Sequence, residues 1–122
     1  MKKKLVLFVD DEKDLLKLIE TRLMSWGYDV ITAPDGEKGL QLLRERKPDL
    51  VLLDYLLPGM DGATVCKQIK NDNELKKTPL IFFSASPHLL SLEVLHSTKA
   101  DDYIVKPFDP TELHEKIKHF IG

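Results

Sequence analysis

A chain of 122 residues, 43% hydrophobic and 31% charged, can bury one sizeable core but not two, and its balanced composition excludes a disordered or fibrous polymer. A formal net charge of −2 without a long basic block gives no support to a nucleic-acid surface, and the single cysteine, Cys66, excludes an internal disulfide and any CxxC metal or redox motif. No apolar run approaches the ~20 residues of a membrane helix and the lysines at 2–4 meet Asp10 too soon for a signal peptide, so one unprocessed cytoplasmic domain spanning 1–122 is expected.

The first element is the run LVLFV, Leu5–Val9, stopped by Asp10, Asp11 and Glu12. A helical period follows over 12–26 and ends near Trp26, an aromatic suited to a core edge or a docking contact. A second strand is read over 28–32, and Asp35-Gly36 then opens a helix over 36–46. Pro48 precedes the third strand, 50–53, which runs into Asp54. Asp61-Gly62 opens the third helix, 62–71, where Cys66 reads as a small core filler.

Pro79 precedes the fourth strand, 80–83, which runs into Ser84. In the helical segment 87–98 that follows, Leu89, Leu90, Leu92, Val94 and Leu95 spread around most of the circumference at about 100° per residue. Either a leucine or two stays exposed, as on any surface, or the segment docks a partner. The fifth strand, 103–105, is followed by Lys106-Pro107. Asp109-Pro110-Thr111-Glu112 then supplies an N-cap, a proline at the first helical position and a glutamate placed for a capping box, opening a helix over 110–121. Its stripe of Leu113, Ile117, Phe120 and Ile121 should face the sheet. His88, His96, His114 and His119 read as surface residues.

Strands that alternate with helices across short connections imply right-handed crossovers and a parallel sheet covered on both faces. Continuous apolar strands fit that burial. In such sheets ligands bind beyond the carboxyl ends of the strands. There the sequence places Asp10 and Asp11 after the first strand, Asp54 after the third, Ser84 after the fourth and Lys106 after the fifth. Unit charges about 4 Å apart repel by roughly 4 kcal/mol at an effective dielectric of 20, so three clustered carboxylates call for a cation. Oxygen ligands without histidine or cysteine favour Mg²⁺, or Mn²⁺ in its place. The competing use of Asp11 is as a cap for the first helix.

These pieces, VDDE at the first turn, PDLVLLDYLLPGMDG around Asp54, FSAS after the fourth strand and ADDYIVKPF before the last helix, resemble the receiver domain of two-component response regulators over essentially the whole chain. The resemblance implies a CheY-like, flavodoxin-like (βα)5 fold with strand order 2-1-3-4-5. It implies that Asp54 accepts a phosphoryl group from a sensor histidine kinase or phosphotransfer protein. Asp11 and Asp54 would ligate Mg²⁺ with the Leu56 backbone carbonyl, and Asp10 would act through water. Ser84 and Lys106 would contact phosphoryl oxygens. Inward movement of Ser84 would let Tyr103 turn, altering the face of the fourth helix, fifth strand and fifth helix toward a downstream protein or a second copy. A cis Lys106-Pro107 peptide is also implied, and Lys99 stands where the family usually has glycine, so a left-handed backbone there would carry about 1 kcal/mol of strain. Leu56 and Ser86 would flank the path of a hydrolytic water, and an apolar Leu56 predicts slow self-dephosphorylation. The chain would thus catalyse only its own phosphorylation and dephosphorylation and turn over no separate substrate. With no output module after the fifth helix, any output would act in trans, unless the sequence is an excised receiver.

Three other functions compete. A degenerate receiver would signal by binding alone. An aspartate-nucleophile phosphatase would need a general acid two residues after Asp54, where Leu56 stands. A flavodoxin-like electron carrier would have to seat a flavin phosphate on Asp10, Asp11 and Glu12, which repel it.

Overall fold

The structure, a computed structural model, describes residues 3–85 and 92–122. Its elements run β1 (Leu5–Val9), α1 (Lys13–Ser25), β2 (Asp29–Ala33), α2 (Gly36–Arg46), β3 (Leu50–Asp54), α3 (Gly62–Lys70), β4 (Leu80–Ser84), α4 (Leu92–Thr98), β5 (Asp102–Val105) and α5 (Pro110–Ile121). The strands form one parallel sheet in the order β2-β1-β3-β4-β5, as the resemblance implied.

Alternate side chains of each buried strand serve the two faces. On one face Leu7, Val9, Val51, Leu53, Leu80 and Phe82 pack with α2 and α3 residues such as Leu43 and Ile69. On the other, Val6, Phe8, Leu52, Ile81 and Phe83 meet Ile19 and Leu23 of α1 and Leu113 and Ile117 of α5. Both faces being covered is why these strands read as unbroken apolar runs. Phe120 and Ile121 complete the α5 stripe at the edge of the second cluster.

Helix starts follow the sequence signals. The Asp35 carboxylate accepts from Lys38 N, Asp61 from Thr64 N and Asp109 from Thr111 N. The start of α1 differs: its N-cap is Glu12, whose side chain makes no capping bond, so Asp11 does not take the capping role open to it in the sequence. The second strand is shifted by one residue from its expected place. Tyr28 N–H closes the end of α1 on Leu23 O, and pairing with β1 starts at Asp29 opposite Leu5.

Lys99 has φ 64, so the left-handed backbone considered for it as a condition is present, and Lys47 at the end of α2 has φ 46. The Lys106-Pro107 peptide is cis. Of the leucine-rich segment, His88, Leu89 and Leu90 lie outside the described residues, while Val94 and Leu95 are half-buried against the core. Cys66 is buried, with its thiol 3.4 Å from Thr98 O. His114 departs from the surface reading: its ring stacks on Trp26 at 4.1 Å with 2° between the planes. That contact also settles Trp26 as a core-edge residue, packed against the second cluster. His96 and His119 are exposed.

Candidate functional site

The carboxyl ends of β1 and β3 lie side by side, with Val9 opposite Leu53, so Asp10 and Asp54 follow as neighbours. Asp10 is fully buried; its N–H bonds to Ala33 O and its Oδ1 accepts from Glu12 N at 2.9 Å. Asp54 is the last residue of β3, buried, with Oδ1 accepting from Leu56 N at 3.3 Å. Asp11 is exposed at the rim. One carboxylate oxygen from each of Asp10, Asp11 and Asp54 falls within 4.8 Å of the others.

Lys106 is carried to the same place by β5, whose pairing with β4 extends through the bond from Lys106 N to Ser84 O at 2.7 Å. Its ammonium lies 2.9 Å from Asp10 Oδ2, 3.4 Å from Glu12 Oε1 and 3.7 Å from Asp54 Oδ2. Ser84 is buried at the end of β4. The structure thus brings together Asp10, Asp11, Asp54 and Lys106 by direct geometry, and places Ser84 at the adjoining strand end. Leu56 presents its backbone at the same edge and is 56% exposed as a residue. Ser86 lies outside the described residues.

The electrostatics follow from burial. Desolvation pushes Asp54 up to about 6, with Asp10 adding to the rise and Lys106 and the Leu56 N–H opposing it. Asp10 is also raised by burial, against the pull of the Glu12 N–H and Lys106. Burial alone would lower Lys106, but its bond to Asp10 and the charges of Asp10, Asp54 and Glu12 raise it. Three carboxylates, Asp10, Glu12 and Asp54, therefore share the Lys106 ammonium with Asp11 beside them, and burial disfavours the charged forms of Asp10 and Asp54. A divalent cation fits such a set, and its all-oxygen chemistry suits Mg²⁺ or Mn²⁺.

Tyr103, the expected switch aromatic, sits half-buried on β5 with Lys116 Nζ 5.8 Å from its ring centroid. Lys116 also pairs with Asp102 at 2.9 Å. Two contributors were not assigned from sequence. Glu12 reaches Lys106 across 94 positions, a contact that the VDDE motif alone does not reveal. Gly62 donates its N–H to Tyr55 O, and a Cβ there would lie 2.6 Å from Asp54 O and 2.7 Å from Tyr55 Cα. Its signal was the glycine directly after the capping Asp61.

Comparison with known proteins matches residues 6–118 to the response regulator receiver domain. The chain is 42% identical over 116 residues to the probable transcriptional regulator ycf27 of Guillardia theta, covering 95% of this chain and 44% of that protein. It therefore spans less than half the length of that relative. The chemotaxis response regulator CheY4 of Vibrio cholerae superposes with a TM-score of 0.90 at 25% identity, covering 98% of this chain and 100% of that one. The receiver domain of the sensor histidine kinase PA1611 from Pseudomonas aeruginosa does so with a TM-score of 0.90 at 27% identity and 99% coverage of both chains; its structure has a magnesium ion coordinated in the active site cleft.

Proposed function

This chain belongs to the response regulator receiver domain family of two-component systems, and on that premise we propose that it is a phosphoacceptor switch with Asp54 as the acceptor. The observation that carries the reading is the buried Asp54 carboxylate at a strand end, flanked by Asp10 and within 3.7 Å of the Lys106 ammonium.

Asp54 attacks the phosphorus of a phosphohistidine in a sensor histidine kinase or phosphotransfer protein. An oxygen–phosphorus bond forms as the phosphorus–nitrogen bond breaks, and the donor ring, protonated at its other nitrogen, leaves as neutral imidazole. The acceptor needs no proton removed, because the reactive form of Asp54 is the carboxylate. A carboxylate is a weak nucleophile, so the site contributes alignment and charge compensation. Asp11, Asp54 and the Leu56 carbonyl would hold Mg²⁺ or Mn²⁺, with Asp10 acting through water; when bound, the ion supplies charge neutralisation at the phosphoryl oxygens. Lys106 turns from Asp10 toward one phosphoryl oxygen, and Ser84 donates its hydroxyl to another.

Movement of Ser84 and Tyr103 then changes the face of α4, β5 and α5, which engages a downstream protein or a second copy. Such a switch works only to the extent that the phosphoryl group favours one arrangement over the other. The chain acts on itself alone and turns over no other substrate. Its apolar Leu56 side chain cannot orient a hydrolytic water, so the phosphoryl group is long-lived.

The test is intact mass after incubation with acetyl phosphate, with and without Mg²⁺, on this chain and on Asp54→Ala. One phosphoryl group that depends on both Mg²⁺ and Asp54 is expected. Its absence under all conditions, with no beryllofluoride binding, leaves a receiver that signals by binding alone.

A further inference from the structure

Glu12 occupies the N-cap of α1 but makes no side-chain capping bond, at a position where serine, threonine, aspartate or asparagine would stabilise the helix. Its carboxylate instead reaches over the cleft to Lys106 Nζ at 3.4 Å. The side chain is 63% exposed, whereas that of Lys106 is 15% exposed and that of Asp10 is wholly buried. An ion pair so exposed contributes little to stability, so holding the fold together does not explain its placement. A fixed charge at the mouth of a cleft does, however, act on every ion that enters.

We propose that Glu12 is a specificity-determining residue that selects among small phosphodonors by their charge, disfavouring those of higher negative charge. The inference rests on the phosphoacceptor reading of Asp54. Donors must approach Asp54 beside Lys106, the ammonium that Glu12 partly occupies and offsets. The repulsion from Glu12 scales with the net charge of the donor, so a dianion is penalised about twice as strongly, in free energy, as a monoanion. The chemistry is the same for both. An Asp54 oxygen bonds to phosphorus as acetyl phosphate releases acetate, or as phosphoramidate, whose nitrogen already carries the departing protons, releases ammonia.

The experiment measures initial phosphorylation rates of the full chain in Mg²⁺ with acetyl phosphate, a dianion, and phosphoramidate, a monoanion. It compares the wild type with Glu12→Gln and Glu12→Asp, at low and high salt. Glu12→Gln should accelerate the monoanion about threefold and the dianion about tenfold at low salt. At about 1 M salt, where the screening length falls to about 3 Å, both ratios should approach one. Glu12→Asp, which keeps the charge, should keep the donor preference of the wild type. Equal acceleration with both donors, slower transfer, or an effect indifferent to salt overturns the proposal. If no donor phosphorylates the wild type or either variant, the phosphoacceptor reading itself fails, and this inference with it.

Discussion

The Lys106 ammonium lies 2.9 Å from Asp10 Oδ2, joining residues 96 positions apart and pairing a carboxylate that has no exposure to solvent. The bond ties the end of β5 to the end of β1 across two intervening strands. Removing one partner of such a pair leaves a buried charge uncompensated, a larger effect than the pair's net contribution. Lys106→Met should therefore lower the stability of the metal-free protein by about 3 kcal/mol at pH 8. The loss should shrink near pH 5, because Asp10, already raised by burial, can take up a proton. Urea titrations at the two pH values check this; a variant as stable as the wild type at pH 8 would mean that Asp10 is hydrated in solution.

Asp54 gives the opposite sign. Its folded value is about 6 against an ordinary 3.8, so between those values the folded chain holds a proton that the unfolded chain releases. The resulting stability is present in full below about pH 4 and is lost as pH rises to about 6, by about 2–3 kcal/mol. Asp54→Asn should raise the stability of the metal-free protein at pH 8 by an amount of that order and flatten this part of the pH profile. Mg²⁺ requires the ionised ligand, so its affinity for the wild type should climb through the same window and level off above about pH 6. Calorimetric titration of Mg²⁺ between pH 5 and 8 reads that slope directly, and an affinity constant across the range would contradict the shift.

Gly62 controls how closely α3 approaches the acceptor strand. A Cβ at this position would meet Asp54 O at 2.6 Å and Tyr55 O at 2.8 Å, both backbone atoms that cannot rotate away. Gly62→Ala should cost about 2–3 kcal/mol and displace the segment carrying Asp54 and Leu56. Gly59→Ala makes the comparison, since its φ of 80 implies strain but open space surrounds it. About 1 kcal/mol is expected there, with phosphorylation by acetyl phosphate unchanged. Equal effects of the two substitutions would show that conformational strain, and not the close approach, governs position 62.

Local pattern exposed most of this architecture because a parallel sheet buried on both faces writes itself as apolar runs. The runs from Leu5, Leu50 and Leu80 carry that signal, and the acids at 10, 11 and 54 stand out because they interrupt or follow it. What stayed hidden depends on contacts between distant elements. His114 looked like a surface residue because nothing near it in sequence announces the Trp26 ring at the end of α1. Glu12 was visible as an acid, but its partner arrives from the far end of the chain on β5. Lys70 is similar: its ammonium reaches Asp101 at 2.8 Å and Thr78 O at 2.9 Å, clipping α3 to the loops that precede β5 and β4, and no periodicity encodes it.

The left-handed lysines show where local reading is partial, and they yield a last prediction. Lys99 stood out against the family's usual glycine, whereas Lys47 had no such marker, although both adopt positive φ at the ends of helices. A side chain with a Cβ pays about 1 kcal/mol for this backbone, and glycine does not. Glycine also loses more freedom on folding, but at a position already fixed at positive φ the relief of strain dominates. Lys47→Gly and Lys99→Gly should each stabilise the chain by up to about 1 kcal/mol, and their effects should add because they lie at the ends of different helices. Thermal unfolding of the two variants and the double variant measures both claims. Destabilisation by Lys99→Gly alone would indicate that its side chain makes a contact in solution worth more than the strain it carries.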